Sequence, residues 1–129
     1  MKARLVIFGS RTAFPDRNEI NDAVLTLLDP FASISEMRSY VEQVVSGTAA
    51  GADQRGEQWA ELRGIPVFRQ PADWQAHGKI AGRIRNRVMA DYATCGVGFW
   101  HNESNGTAHM ASLLLSMGKP VLLREWRRP

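Results

Sequence analysis

The chain has 129 residues, 44% of them hydrophobic and 22% charged, which describes one globular domain over residues 1–129 and excludes a disordered or low-complexity polypeptide. No apolar run approaches the roughly 20 residues that a membrane-spanning helix requires, and Met1-Lys2-Ala3-Arg4 leads straight into a short apolar run without a signal-peptide pattern. The single cysteine, Cys95, excludes an internal disulfide and fits an inert core residue of a cytoplasmic protein, while a net charge of +3 and a pI near 9.5 modestly favour anionic partners.

The first expected element is a strand over 3–8. Leu5-Val6-Ile7-Phe8 is a continuous apolar run, the pattern of a strand covered on both faces, and Gly9-Ser10-Arg11 follows at once. Glycine permits a sharp turn and close approach of a ligand, the serine hydroxyl can bond an oxyanion, and arginine offers a charged fork to phosphate; an ordinary polar loop is the alternative. A helix over 17–28 comes next, with Asp16 and Glu19 as a capping box, Ile20, Val24, Leu27 and Leu28 as its buried stripe, and Asp29-Pro30 as its stop. Phe31 to Tyr40 is long for a link and accommodates an extra helical turn from Ser35.

A second strand, 41–46, ends in Ser46-Gly47, and Gly51-Ala52-Asp53 opens a helix over 53–63 in which Ala52, Trp59 and Leu62 recur at roughly helical spacing, with Gly64 as C-cap. The small residues from Gly47 to Ala52 leave backbone N–H groups at a helix N-terminus, where an anion is favoured. The pattern is neither G-x-G-x-x-G nor a P-loop, since no Lys-Ser/Thr follows Gly51. Asp53 either caps this helix or bonds a ribose hydroxyl or exocyclic amine. After a third strand over 66–69, the long link from Pro71 to Lys79 is a lid or wall in which Trp74 either stacks on a base or anchors the core.

In the helix expected over 79–92, Ile80, Ile84, Val88 and Tyr92 mark an apolar stripe. Arg83, Arg85 and Arg87 cannot share one face, so at least one is solvated; Arg85 is assigned to the crevice, with Asn86 beside it. A strand over 95–100 is weakened by its glycines, and a polar loop from His101 to Asn105 leads to Gly106-Thr107. These start a helix over 107–117 with Met110, Leu113, Leu114 and Met117 on one face. Thr107 is an N-cap, or its N–H and that of Ala108 face an anion. Gly118 ends the helix, 120–124 is the last strand, and Arg124-Glu125-Trp126-Arg127-Arg128 reads as a soluble C-terminus. His77, His101 and His109 lack ligand spacing, so no metal is expected, and no cofactor is called for.

Strict alternation of strand and helix implies an α/β, Rossmann-like three-layer fold with a five-stranded parallel sheet. The first strand is expected at its centre, with the four polar motifs, three at turns and one on the arginine-rich helix, around one crevice at the C-terminal edge. The expected ligand contacts are Gly9, Ser10 and Arg11 from the first turn, Gly47, Gly51 and Asp53 from the second, Trp74 from the long link, Arg85 and Asn86 from the arginine-rich helix, and Asn105, Gly106 and Thr107 from the last turn.

Taken in order, Gly9 to Arg11, Gly47 to Asp53, Ala72 to Trp74, Arg85 to Met89 and Gly106-Thr107 resemble the SLOG superfamily, most closely its small YspA/YpsA-related branch, from residue 4 to about 123. The resemblance implies a Rossmann-like fold that binds a nucleotide or nucleotide-derived ligand at the strand ends. The related LOG phosphoribohydrolases carry Lys at the position of Asn86 and a catalytic Glu at that of Met110, and a thioether cannot do that carboxylate's work. The expected function is therefore a sensor or sequestering module for a nucleotide, a nucleoside monophosphate or an NAD-derived ligand. The alternative is a LOG-like N-glycosidic hydrolase of nucleoside 5′-monophosphates using Asp53 or Glu103. The resemblance to DNA-processing relatives keeps single-stranded DNA binding as a third, disfavoured reading that would need an extended basic groove on a dimer, and apolar faces on the last two helices would permit a homodimer.

Overall fold

The computed structural model describes residues 2–129. Strands β1 (Ala3–Gly9), β2 (Val41–Ser46), β3 (Val67–Arg69), β4 (Cys95–Trp100) and β5 (Val121–Glu125) form one all-parallel sheet in the order β3-β2-β1-β4-β5. β1 is central, with Leu5 opposite Val44 of β2 on one side and opposite Cys95 of β4 on the other. The chain thus leaves β1 in one direction and returns to β4 in the other, opening a crevice at the strands' C-terminal ends.

Residues of β1 alternate between two cores, as a pleated strand requires. Leu5 and Ile7 face a cluster with Ile20 and Val24 of α1 (Arg17–Leu28) and Trp59 of α3 (Ala52–Leu62). Val6 and Phe8 face a second cluster with Met89 of α5 (Ala81–Tyr92) and Met110 and Leu114 of α6 (Asn105–Ser116). The Asp16–Glu19 capping box is formed, and the link after α1 holds a 3₁₀ turn over Ile34–Glu36 and the short α2 (Met37–Tyr40). The long link before α5 folds into α4 (Trp74–His77) and a 3₁₀ turn over Gly78–Ile80.

Several local expectations are corrected. The stripe Ile80, Ile84, Val88, Tyr92 is not the buried face of α5: Ile80 and Val88 are exposed, and Ala81, Asn86, Met89 and Ala90 are buried instead. That face carries small alanines and a buried Asn86 beside Met89, so the size of the apolar side chains alone marks the wrong side. Leu62 is exposed at the end of α3. The glycines of β4 are packing devices rather than weak points. A Cβ at Gly96 would lie 2.6 Å from Leu114 Cδ1, and one at Gly98 would lie 2.6 Å from Phe8 Cζ. Nor is the tail wholly solvated: β5 extends to Glu125, and Trp126 is buried, its ring edge-on to Phe14 at 5.8 Å and to His101 at 5.4 Å.

α3 also approaches the sheet closely at Gly56, where a Cβ would meet Ile7 Cγ2 at 2.7 Å and Ile7 Cβ at 2.8 Å. Ile7 is β-branched and fully buried, so it has no free rotamer to give. Gly56→Ala is expected to cost about 1–3 kcal/mol by overpacking, whereas Gly106→Ala, whose Cβ meets nothing within 4 Å, should leave stability unchanged or slightly higher. Urea unfolding of both variants measures the contrast.

Candidate ligand-binding site

A cavity of about 420 Å³ occupies the crevice, with Phe8, Met89 and Met110 as its apolar floor. The turn after β1 contributes Gly9, Ser10 and Arg11; α3 contributes Asp53, α4 Trp74, α5 Arg85 and Asn86, and the start of α6 Asn105, Gly106 and Thr107. Two expected contacts, Gly47 and Gly51, do not line it. Their role is to let neighbouring groups close up behind the wall. Gly51 has φ +79° and sits where a Cβ would lie 2.5 Å from the carbonyl oxygens of Ser10 and Arg11. A Cβ at Gly47 would fall 2.6 Å from Arg85 Nη1 and 2.8 Å from Asp53 Oδ2.

The turn after β1 is fixed by backbone bonds. Ser10 N–H donates to the Phe99 carbonyl at 2.9 Å, and the Ser10 carbonyl accepts from Ala13 and Ala52. Its buried hydroxyl oxygen accepts the His101 N–H at 2.9 Å, so the hydroxyl braces the loop after β4, and its own proton remains as a donor. Arg11 is exposed and, among the described residues, its side chain has no hydrogen-bond partner. The same holds for Lys79 and Arg83, cavity residues that the sequence pattern did not select. Arg87 is the arginine turned to solvent, paired with Asp91.

Arg85 is committed. Its Nη1 donates to the Gly47 carbonyl at 2.6 Å and its Nε to Asn86 Oδ1 at 3.1 Å. Burial opposes its charge, Asp53 supports it and Arg11 opposes it. Arg85 is thus a strut tying α5 to the turn after β2, not a free phosphate clamp. The amide of Asn86 is also spent, its Nδ2 lying 3.4 Å from the Gly106 carbonyl and 3.2 Å from His109 Nδ1.

Asp53 does not cap its helix, because Gly51 occupies that position; its Oδ2 accepts the Ala49 N–H at 3.1 Å. Thr107 is not a cap either. The helix starts two residues earlier, at Asn105, with Ser104 as N-cap: its Oγ accepts the Thr107 N–H at 3.3 Å and its carbonyl the Ala108 N–H at 3.1 Å. The N–H groups left unpaired among the described residues are those of Asn105 and Gly106. Trp74 is half exposed on the cavity wall and is not a core anchor; its Cη2 lies 3.5 Å from where a Gly82 Cβ would be.

His101, His109, Thr12 and Ser104 also line the cavity and were not among the expected contacts, while Glu103, expected only for the hydrolase alternative, lines it too. A signal existed for two of them. Ser104 precedes the helix with a capping residue type, and His109 stands four residues after Asn105, on the same face.

No family model matches the chain. Its sequence is 34% identical over 128 residues to the Gene 61 protein of Mycobacterium phage D29, across 92% of this chain and 94% of that protein. The chain belongs to the family of that phage protein. Among solved structures it is similar to DNA processing protein A (DprA) from Streptococcus pneumoniae, with a TM-score of 0.53 and 14% identity over 94% of this chain. The chain spans 58% of that DprA chain, and at this identity the likeness shows a shared Rossmann-like fold. No helix among the described residues is long and apolar enough to cross a membrane.

Burial pushes the Asp53 carboxyl up to about 6, with Glu57 adding to the shift and the Ala49 N–H, Arg85 and Arg11 opposing it. A raised folded pKa means that the protonated form favours the fold. Its contribution is complete below the unfolded value of 3.8 and is lost as pH rises through about 6. Relative to Asp53→Asn, the wild type should lose about 2 kcal/mol between pH 4.5 and 7.5, read from paired urea unfolding curves.

Proposed function

We propose that the cavity binds a phosphorylated, nucleotide-like small molecule and that this chain is a sensor or sequestering module of the YspA-related SLOG branch, working in a cytoplasm. The carrying observation is the charge of the cavity wall. Arg11, Lys79, Arg83 and Arg85 face it against Asp53 and Glu103, and three of those four cations have no protein partner among the described residues. Cations without partners beside two unpaired N–H groups at a helix start suit an anion. The half-exposed Trp74 ring on the same wall suits a flat base. The volume is that of a small-molecule site. Polynucleotide binding would call for a basic track with several stacking aromatics outside the cavity.

Calorimetry with adenosine 5′-monophosphate, uridine 5′-monophosphate and ADP-ribose tests the reading. Arg11→Ala should weaken the best of these about 10- to 100-fold, the effect of about 1.5–3 kcal/mol expected for a charge-assisted hydrogen bond, without a change in denaturation midpoint. Arg85→Ala should lower the midpoint as well, because it strips a donor from the Gly47 carbonyl. Unchanged affinity in Arg11→Ala sinks the assignment of the phosphate end.

A second reading, hydrolysis of the N-glycosidic bond, is favoured by one observation: Asp53, raised to about 6, supplies a carboxyl near neutrality in the cavity wall. Against it, the LOG-type glutamate position is Met110, buried in the apolar floor. Binding without turnover is the expected outcome. In a long incubation with adenosine 5′-monophosphate, chromatography should find no adenine above background; release that disappears in Asp53→Asn would establish the second reading instead.

A further inference from the structure

Two histidines line the cavity, and the bonding around one of them fixes its chemistry. An arginine side chain can only donate. Arg85 Nε–H points to Asn86 Oδ1 at 3.1 Å, which determines which end of that amide is oxygen. The other end, Nδ2, is therefore the donor, and it lies 3.2 Å from His109 Nδ1. A ring nitrogen that receives a hydrogen bond carries no proton, so the proton of the neutral ring sits on Nε2. His101 differs: its Nδ1 is 2.9 Å from Thr12 Oγ1, a hydroxyl that can donate or accept, so nothing fixes its tautomer.

We infer that His109 is a neutral Nε2–H donor to a phosphoryl or carbonyl oxygen of the ligand in this cavity, with Asn86 as the positioning residue that sets its tautomer. This rests on the proposed binding of a nucleotide-like anion. His109 lines the cavity one turn into α6, on the face of Asn105, whose backbone N–H is unpaired among the described residues. It therefore extends the donor set of the helix start without adding charge to a wall that already carries four cations. An imidazolium would set Nδ1–H against the Asn86 N–H, and burial and Arg83 also disfavour the charged ring.

Long-range ¹H–¹⁵N spectra of the full chain, recorded at neutral pH, read the tautomer directly. The expected result is Nε2–H for His109, with its resonances shifting together with Arg11 and Gly106 on titration with adenosine 5′-monophosphate. His109→Ala should weaken binding about 10-fold, while His109→Gln, whose amide nitrogen stands near the place of Nε2, should stay within about 3-fold. Asn86→Asp, replacing donor by acceptor, should move the proton to Nδ1 or charge the ring; the wild-type spectrum decides the tautomer even if that variant does not fold. An Nδ1–H or imidazolium form in the wild type overturns the inference, as does a Gln variant as weak as Ala. Shifts at Arg11 and Gly106 with His109 unmoved overturn it alone. A nucleotide that shifts no cavity residue fails the proposed function, and the inference falls with it.

Discussion

The bond from Arg85 Nη1 to the Gly47 carbonyl holds the site together. It joins α5, on one face of the sheet, to the turn after β2, and it exists because position 47 has no Cβ, which would lie 2.6 Å from Arg85 Nη1. Asp53 shares the same hollow, its Oδ2 within 2.8 Å of where that Cβ would be. From Arg85 the bonding continues through Asn86 to His109 and to the Gly106 carbonyl at the start of α6. Three of the four polar motifs are thus one connected network, and the fourth, at Ser10, is tied to the second through its carbonyl, which accepts the Ala52 N–H at 3.3 Å. Partly buried polar networks of this kind are rigid when every member is satisfied. The charges left over, on Arg11, Lys79 and Arg83, are those not needed to hold the frame.

Most of the fold was legible because it depends on features that repeat. The apolar run of β1 could be covered on both faces only at the sheet centre, and that is where it lies. Strand and helix ends fell within one or two residues of expectation, since Gly64, Gly118 and the Asp16–Glu19 box are local signals. The face of α5 was not legible. Its inner surface mixes Ala81, Met89 and Ala90 with a buried Asn86, and an apolar-periodicity argument follows the larger Ile80 and Val88 outward instead. The Trp126 lock was hidden for a related reason: one apolar residue among charges carries no period, and only the approach of Phe14 and His101 gives it a place.

Ten of the twelve expected contacts share one cavity, yet several have other work there. Glycines announce close approach but not of what: Gly47 and Gly51 admit protein atoms, an arginine and two carbonyls, rather than a ligand. Side chains with fixed donors were similarly ambiguous. Arg85 and Asn86 are absorbed into the frame, while Arg83, passed over in favour of Arg85, and Lys79 keep their charges free toward the cavity. Sequence names the residue types that gather at a site; which of them are already engaged is decided by distances that only the fold supplies.

Asn86 and Met110 suit the charge of this cavity as a pair. A lysine at 86 could donate only, so it could not accept from Arg85 Nε as Asn86 Oδ1 does, and it would add charge next to a half-buried guanidinium. A glutamate at 110 would carry the opposite charge into a floor otherwise made by Phe8 and Met89. With Asn86 and Met110 the site is spared one charge of each sign, and its balance is the same as if both were present. A neutral amide at 86 then has a task that a lysine could not perform, since it accepts from Arg85 and donates to His109 at once. The amide that spares the site a charge thus also holds His109 as a fixed, uncharged ring.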